Sequence, residues 1–151
     1  MRIVQGNIDP ADVQAFLKSR HSGLGFTFLA HEYTIFRVLL DTADIHKLIL
    51  WWEHKVHTDG KSQKVTDAAR TAREHPRIKR IIEGAPTKSW MPLNIRKNPN
   101  FELVLESNSR ESNFLNIVDG NHRAIAQHLT DQDFQDVPAF LCIHPKIGRW
   151  T

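Results

Sequence analysis

With 151 residues, 40% hydrophobic and 25% charged, the chain has the size and composition of one folded domain, which excludes global disorder. No apolar run reaches the ~20 residues of a membrane helix, the start Met1-Arg2-Ile3-Val4-Gln5-Gly6-Asn7 lacks a signal-peptide core, and one cysteine forms no internal disulfide, so a cytoplasmic protein without a membrane partner is expected. The net charge of +3 permits an anionic partner, and it is uneven: Lys61 to Lys97 hold ten Lys or Arg against three acids, as a basic face or a solvated helical surface would.

Asp9-Pro10-Ala11-Asp12 supplies a capping residue, a proline at the first helical position and an acid in the first turn. Val13, Phe16 and Leu17 then fall on one face, so a short amphipathic helix is predicted. Gly23 and Gly25 break the chain before two strand candidates, Phe26 to Leu29 and the β-branched and aromatic run Tyr33 to Leu40. Asp44 can cap a second helix, in which Ile45, Leu48, Ile49 and Trp52 recur at spacings of three and four. Trp51 points away from that stripe, and the tryptophan pair suits a core more than a stacking platform. Glu53-His54-Lys55-Val56-His57-Thr58-Asp59 offers ligand atoms, but two histidines without a third and fourth ligand do not make a zinc site, and no metal site is assigned.

Val65 to His75 reads as a helix, and Pro76 starts another that carries Ile78, Ile81 and Ile82 to a stop at Gly84. The period then changes to two. Trp90 to Ile95 is a strand candidate, and Phe101, Leu103 and Leu105 alternate with Glu102, Val104 and Glu106 in another. Phe114 to Val118 is a short strand that Asp119-Gly120 closes, and Ala124 to Leu129 continues as helix with Asp119 or Asn121 as its cap. Val137 to Ile143 is the final strand, with Pro138 suited to a strand start or an edge, and Cys142 inside it reads as a small core residue. The whole is an α+β fold: one domain over 1–151, a small mixed sheet flanked by helices, with a helix-and-strand extension over 1–32.

The strand-to-helix turn Asp119-Gly120-Asn121-His122-Arg123 carries the functional signal. A helix start presents N–H groups without helical partners and a partial positive charge, which attract phosphate. Gly120 lets the backbone approach a ligand, Arg123 can grip phosphate with a planar fork, and His122 can donate to an oxygen or move a proton. Asp119 can hold a metal ion or accept a proton. The plainer reading is that these are ordinary turn and cap residues.

The second half resembles the ParB/sulfiredoxin-like superfamily. The likeness rests on Ile117-Val118-Asp119-Gly120-Asn121-His122-Arg123-Ala124-Ile125-Ala126 followed by Val137 to Ile143, with Ile81-Ile82-Glu83-Gly84 and Met91-Pro92-Leu93-Asn94-Ile95-Arg96 upstream. It implies that Gly120, Asn121, His122 and Arg123 bind nucleotide phosphates, and that Asp119, His122 and Arg123 are the catalytic residues. It also implies an NTP, ATP or CTP, with Mg²⁺. Sulfiredoxin chemistry is excluded, because its cysteine position holds Asn121. Partition proteins carry an acid and two arginines where this chain has Asn-His-Arg, whereas the free serine kinase-like branch has a turn closer to Asp-Gly-x-His-Arg. Asp41 and Glu53 are further carboxylates for the metal or the acceptor. Fic adenylyltransferases share Asp-Gly-Asn-x-Arg, but Leu115 stands where they need a histidine, and their motif joins two helices.

Three functions follow as expectations. The first is a nucleotide-binding enzyme performing NTP-dependent phosphotransfer or NTP hydrolysis. The second is a DNA-binding or nuclease-like module with Arg70, Arg73, Arg77, Lys79 and Arg80 on nucleic acid. The third is a non-catalytic interaction protein.

Overall fold

The structure is a computed structural model that describes residues 1–20, 32–50, 64–84, 102–130 and 135–150. The strands are β1 (Arg2–Gln5), β2 (Thr34–Leu40), β3 (Leu48–Ile49), β4 (Leu103–Ser107), β5 (Leu115–Asp119) and β6 (Val137–Ile143). The helices are α1 (Pro10–Arg20), α2 (Val65–Ala72), α3 (Pro76–Gly84) and α4 (Asn121–Thr130). Together they form one small α+β domain around a six-stranded mixed sheet in the order β1-β2-β6-β4-β5-β3. β6 runs parallel to β4 and β3 parallel to β5, while the other neighbours are antiparallel. The carboxyl ends of β2, β3 and β5 therefore lie at the same end of the sheet as the amino ends of β1, β4 and β6.

Alternation along the strands divides the core into two layers. Leu103, Leu105, Leu115, Ile117, Ala139 and Leu141 face α2, α3 and α4, whose Ala68, Ala69, Ala72, Ile78, Ala124 and Ile125 pack on them. The small alanines let α2 and α4 approach each other closely. On the other face Ile35, Val104, Val118, Phe140 and Cys142 pack with Val13 and Leu17 of α1 and with Ile147 after β6.

Local chemistry explains the first helix: Asp9 Oδ1 accepts the Ala11 N–H at 2.9 Å, and Pro10 needs no hydrogen-bond partner at its nitrogen. Val13 and Leu17 are fully buried, as their spacing predicts. The region read as an N-terminal extension thus supplies an edge strand to the same sheet and a helix to its core. β1 carries no sequence signal longer than Ile3-Val4, and it is exposed along its length.

Elsewhere the structure corrects the sequence. The helix expected from Asp44 is a single 3₁₀ turn, Asp44–Lys47, after which Leu48–Ile49 pair with Leu115 and Asn116 as strand β3. A short apolar run buried on both sides satisfies helical spacing by accident. On the face of β4 that α1 covers, Val104 is buried and Glu106 half-buried, and Glu102 just before the strand is wholly buried. Pro138 starts a strand but not an edge: β6 lies between β2 and β4. The strand candidates at 26–29 and 90–95, Phe101, Trp51, Trp52 and the 53–59 cluster lie outside the described residues. Among the described residues no helix is long and apolar enough to cross a membrane.

Candidate functional site

The turn is built on a β-bulge. Leu105 pairs with Ile117, but Val104 pairs with Asp119, so one extra residue enters β5 just before it ends. Bulges bend a strand and re-aim the residues beyond them. The chain then reverses through Gly120 at φ +101, a left-handed conformation that L side chains rarely adopt. A Cβ there would also lie 2.5 Å from Leu103 Cδ2 and 3.6 Å from Leu103 Cα. Both conformation and space require glycine, which brings the turn against the first residue of β4.

Gly120 is the N-cap of α4, since its carbonyl accepts the Ala124 N–H at 2.9 Å. The sequence placed the cap at Asp119 or Asn121; the cap is the glycine between them, and Asn121 is the first helical residue. Asp119 and Asn121 are buried, whereas His122 and Arg123 are half-buried at the helix start. All five residues predicted for the phosphate turn are therefore brought together at the carboxyl end of β5.

A sixth residue joins them. The imidazole of His75 stacks on that of His122, with ring centroids 5.5 Å apart and planes at 30°. His75 is itself an N-cap: its carbonyl accepts the Lys79 N–H at 2.9 Å, and Pro76 occupies the first position of α3. The amino ends of α3 and α4 thus converge on one pair of stacked histidines. Sequence reasoning placed the start of α3 at Pro76 but missed His75; the signal was its position before that proline.

Compared with known proteins, the chain matches no family model, no curated protein and no solved structure. The site is read from its own geometry.

Asp41 lies at the same end of the sheet, but β6 and β4 separate β2 from β5. Its carboxylate is engaged by the Met1 α-ammonium at 2.5 Å, which holds its pKa below the ordinary value. Glu53 lies outside the described residues. Among the residues of the nucleic-acid reading, Arg70, Arg73, Lys79 and Arg80 are exposed on α2, α3 and the corner between them, and Arg77 is in α3. Arg70 lies 3.8 Å from Asp67 and Lys79 lies 3.6 Å from Glu74.

The opposite face of the sheet holds polar groups with no sequence signal. Glu102, fully buried, forms an ion pair with Arg37 at 3.1 Å, yet neither carboxylate oxygen accepts a well-aligned hydrogen bond. Burial raises its pKa from 4.5 to about 7, against the lowering effect of Arg37. The Arg37 guanidinium lies over the Phe140 ring, 5.1 Å from its centroid. Tyr33 donates its hydroxyl to Glu106 Oε2 at 2.9 Å, and burial together with that carboxylate pushes the phenol pKa well up. Burial also raises the Cys142 thiol well above its usual value, in keeping with a core residue rather than a nucleophile.

Proposed function

We propose that the turn Asp119–Arg123 binds the phosphates of a nucleotide in a ParB/sulfiredoxin-like domain, and that the chemistry is NTP-dependent phosphotransfer or NTP hydrolysis. The observation that carries this reading is the convergence of two helix amino ends on the His75–His122 stack, beside a bulged strand end and a left-handed glycine. Each amino end adds partial positive charge and N–H donors, which attract phosphate. In this reading Gly120 and Asn121 supply backbone donors, while His122 and Arg123 hold the charge that develops on the transferring phosphoryl group.

Asp119 accepts the proton of the attacking hydroxyl or water, or faces the metal. Among the described residues no three His, Cys, Asp or Glu side chains gather where a metal could sit. In this reading a Mg²⁺ ion would be held chiefly by the nucleotide phosphates, with Asp119 as the carboxylate of the turn, the arrangement that ion usually adopts. It would neutralise charge between phosphates.

A nucleotide panel with and without Mg²⁺ tests the reading by thermal shift, because a ligand that binds only the native state must raise the melting temperature. At least one nucleotide should do so, and Arg123→Ala should abolish its binding in calorimetry with the fold intact. An unchanged affinity in Arg123→Ala removes the reading. The exposure of Arg70, Arg73, Lys79 and Arg80 favours the second reading, a nucleic-acid surface on α2 and α3. That reading requires DNA binding at ~50 mM salt that declines steeply as salt rises.

A further inference from the structure

We propose that Arg37 and Glu102 are positioning residues for the turn at Gly120: their ion pair, laid across the sheet over Phe140, sets the start of β4 against which that turn packs, and the proton on Glu102 regulates it. The effect on ligand binding rests on the reading of the turn as a phosphate site. The link between Glu102 and Gly120 is structural and is tested without a ligand.

Three observations carry the link. The pair spans three strands: β6 lies between β2 and β4, so Arg37 reaches Glu102 across its own register partner, Phe140, with the guanidinium carbon 5.1 Å from the ring centroid. Phe16 of α1 meets the same ring at a centroid distance of 5.6 Å, with the planes at 68°. Next, the pair is poorly satisfied. Oε1 of the fully buried Glu102 lies 3.1 Å from the Arg37 guanidinium, yet neither carboxylate oxygen accepts a well-aligned hydrogen bond, and Arg37 Nε donates to no acceptor. Such a pair contributes little stability, because the cost of desolvating two charges is repaid only by good geometry. Buried polar groups left in that state call for a role other than stability. Finally, Glu102 adjoins the turn. Leu103 follows it, a Cβ on Gly120 would lie 3.6 Å from Leu103 Cα, and Val104 pairs with Asp119 at the bulge. A shift of Glu102 therefore passes through one residue to the backbone of the turn.

Among the described residues, Arg37 is the charged group that acts on the Glu102 carboxyl. β6 and α1 face this layer with Phe140 and Phe16, while Asp12 and Lys18 of α1 are exposed. Glu106, further along β4, is engaged by Tyr33, and Asp119, His122 and Arg123 lie at the turn itself. Burial raises the Glu102 pKa to about 7, so the proton is exchanged in the neutral range. The neutral carboxyl suits the buried position. The ionised one favours arrangements that reach water, which draw the start of β4 away from Gly120. Phosphate affinity at the turn therefore falls as pH rises through about 7.

The test is an NMR titration of the backbone amides of the full chain between pH 5 and pH 9, for the wild type, Glu102→Gln, Arg37→Met and His122→Gln. The Gly120 amide reports the turn. It should show a step in the neutral range in the wild type and in His122→Gln, which removes the neighbouring imidazole. Glu102→Gln, of the same size and permanently neutral, should lose that step. Arg37→Met should move it to higher pH, since the cation that lowers the carboxyl pKa is gone; a pair that only braces the sheet would show no such shift. A Gly120 titration that is the same in the wild type and Glu102→Gln overturns the proposal, whether or not Arg37→Met folds. Calorimetry with inorganic tripolyphosphate at pH 6 and pH 8 then reads the site. Across that interval the wild type should lose at least about threefold more affinity than Glu102→Gln. Equal losses overturn the regulation of binding. If tripolyphosphate binds neither protein at either pH, the phosphate reading fails, and a Gly120 step that depends on Glu102 still upholds the positioning of the turn.

Discussion

His75 and His122 stack across two helix starts, ring centroids 5.5 Å apart, and so tie the corner between α2 and α3 to the turn between β5 and α4. Aromatic pairs of this kind contribute about 0.5–1.5 kcal/mol beyond the area they bury. A double-mutant cycle with His75→Ala and His122→Ala should return a coupling energy of that size. The measurement is the urea midpoint of the four proteins. Additive single effects would mean that the rings touch without holding the helices together.

Gly120 is required twice over, by its φ of +101 and by the 2.5 Å separation between a Cβ there and Leu103 Cδ2. Gly120→Ala should cost about 1–3 kcal/mol from the backbone conformation alone. The Leu103 side chain must also shift, but Leu103→Ala in the same chain would relieve only the contact with Cδ2 and leave the backbone strain. Denaturant unfolding should therefore show Gly120→Ala destabilised in both backgrounds. A Gly120→Ala protein as stable as the wild type would contradict the left-handed turn.

Glu102 should make stability depend on pH in a direction opposite to that of most carboxylates. Its carboxyl titrates near 4.5 in the unfolded chain and at about 7 in the fold, so the native state holds the proton more tightly. Between those values the native state binds more protons than the unfolded one. This group's contribution is thus fully present below about pH 4.5, falls as pH rises to about 7, and is level above that. Its size is on the order of 3 kcal/mol at most. Urea midpoints at pH 5 and pH 8 for the wild type and Glu102→Gln check it. The glutamine protein should lose the part of the pH 5 to pH 8 decline that the wild type owes to this carboxyl, and an identical slope in both would remove Glu102 as its source.

How much of this could be read from the chain depended on whether local signals and tertiary environment agreed. The helix at Pro10–Arg20, the proline start of α3, the strand–glycine–helix order around Gly120 and the final strand were legible because capping, proline and periodicity all pointed the same way. Leu48 and Ile49 were read as helix because their spacing fits both structures, and only pairing with β5 decides for strand. Glu102 was read only as alternating with Phe101 and Leu103, and nothing in its neighbours announces that its side of the sheet is buried. For the site, the turn residues were visible as a contiguous motif. His75 was not, because its contact with His122 is made by folding alone.

The last prediction concerns α1, in the region the sequence read as a helix-and-strand extension of the one domain. Leu17 is fully buried among Val13, Ile35, Phe140 and Cys142, so it belongs to the core of the opposite sheet face. Leu17→Ala should therefore cost about 2–5 kcal/mol, as leucine truncations in well-packed cores do, because the transfer energy and the cavity add. A detachable extension would instead lose only local order, with a global midpoint near that of the wild type. The two outcomes separate in native-state hydrogen exchange. If α1 is part of the cooperative unit, amides of β5 and β6 should exchange faster in Leu17→Ala by the same free energy that the urea midpoint reports. If only the amides of α1 accelerate, the helix opens by itself and the second core layer is a separate, weaker unit. The same experiment bears on the turn at Gly120. β5 carries that turn, and its Val118 packs in this second layer, so loss of α1 packing should loosen the strand end from which the proposed phosphate site is built.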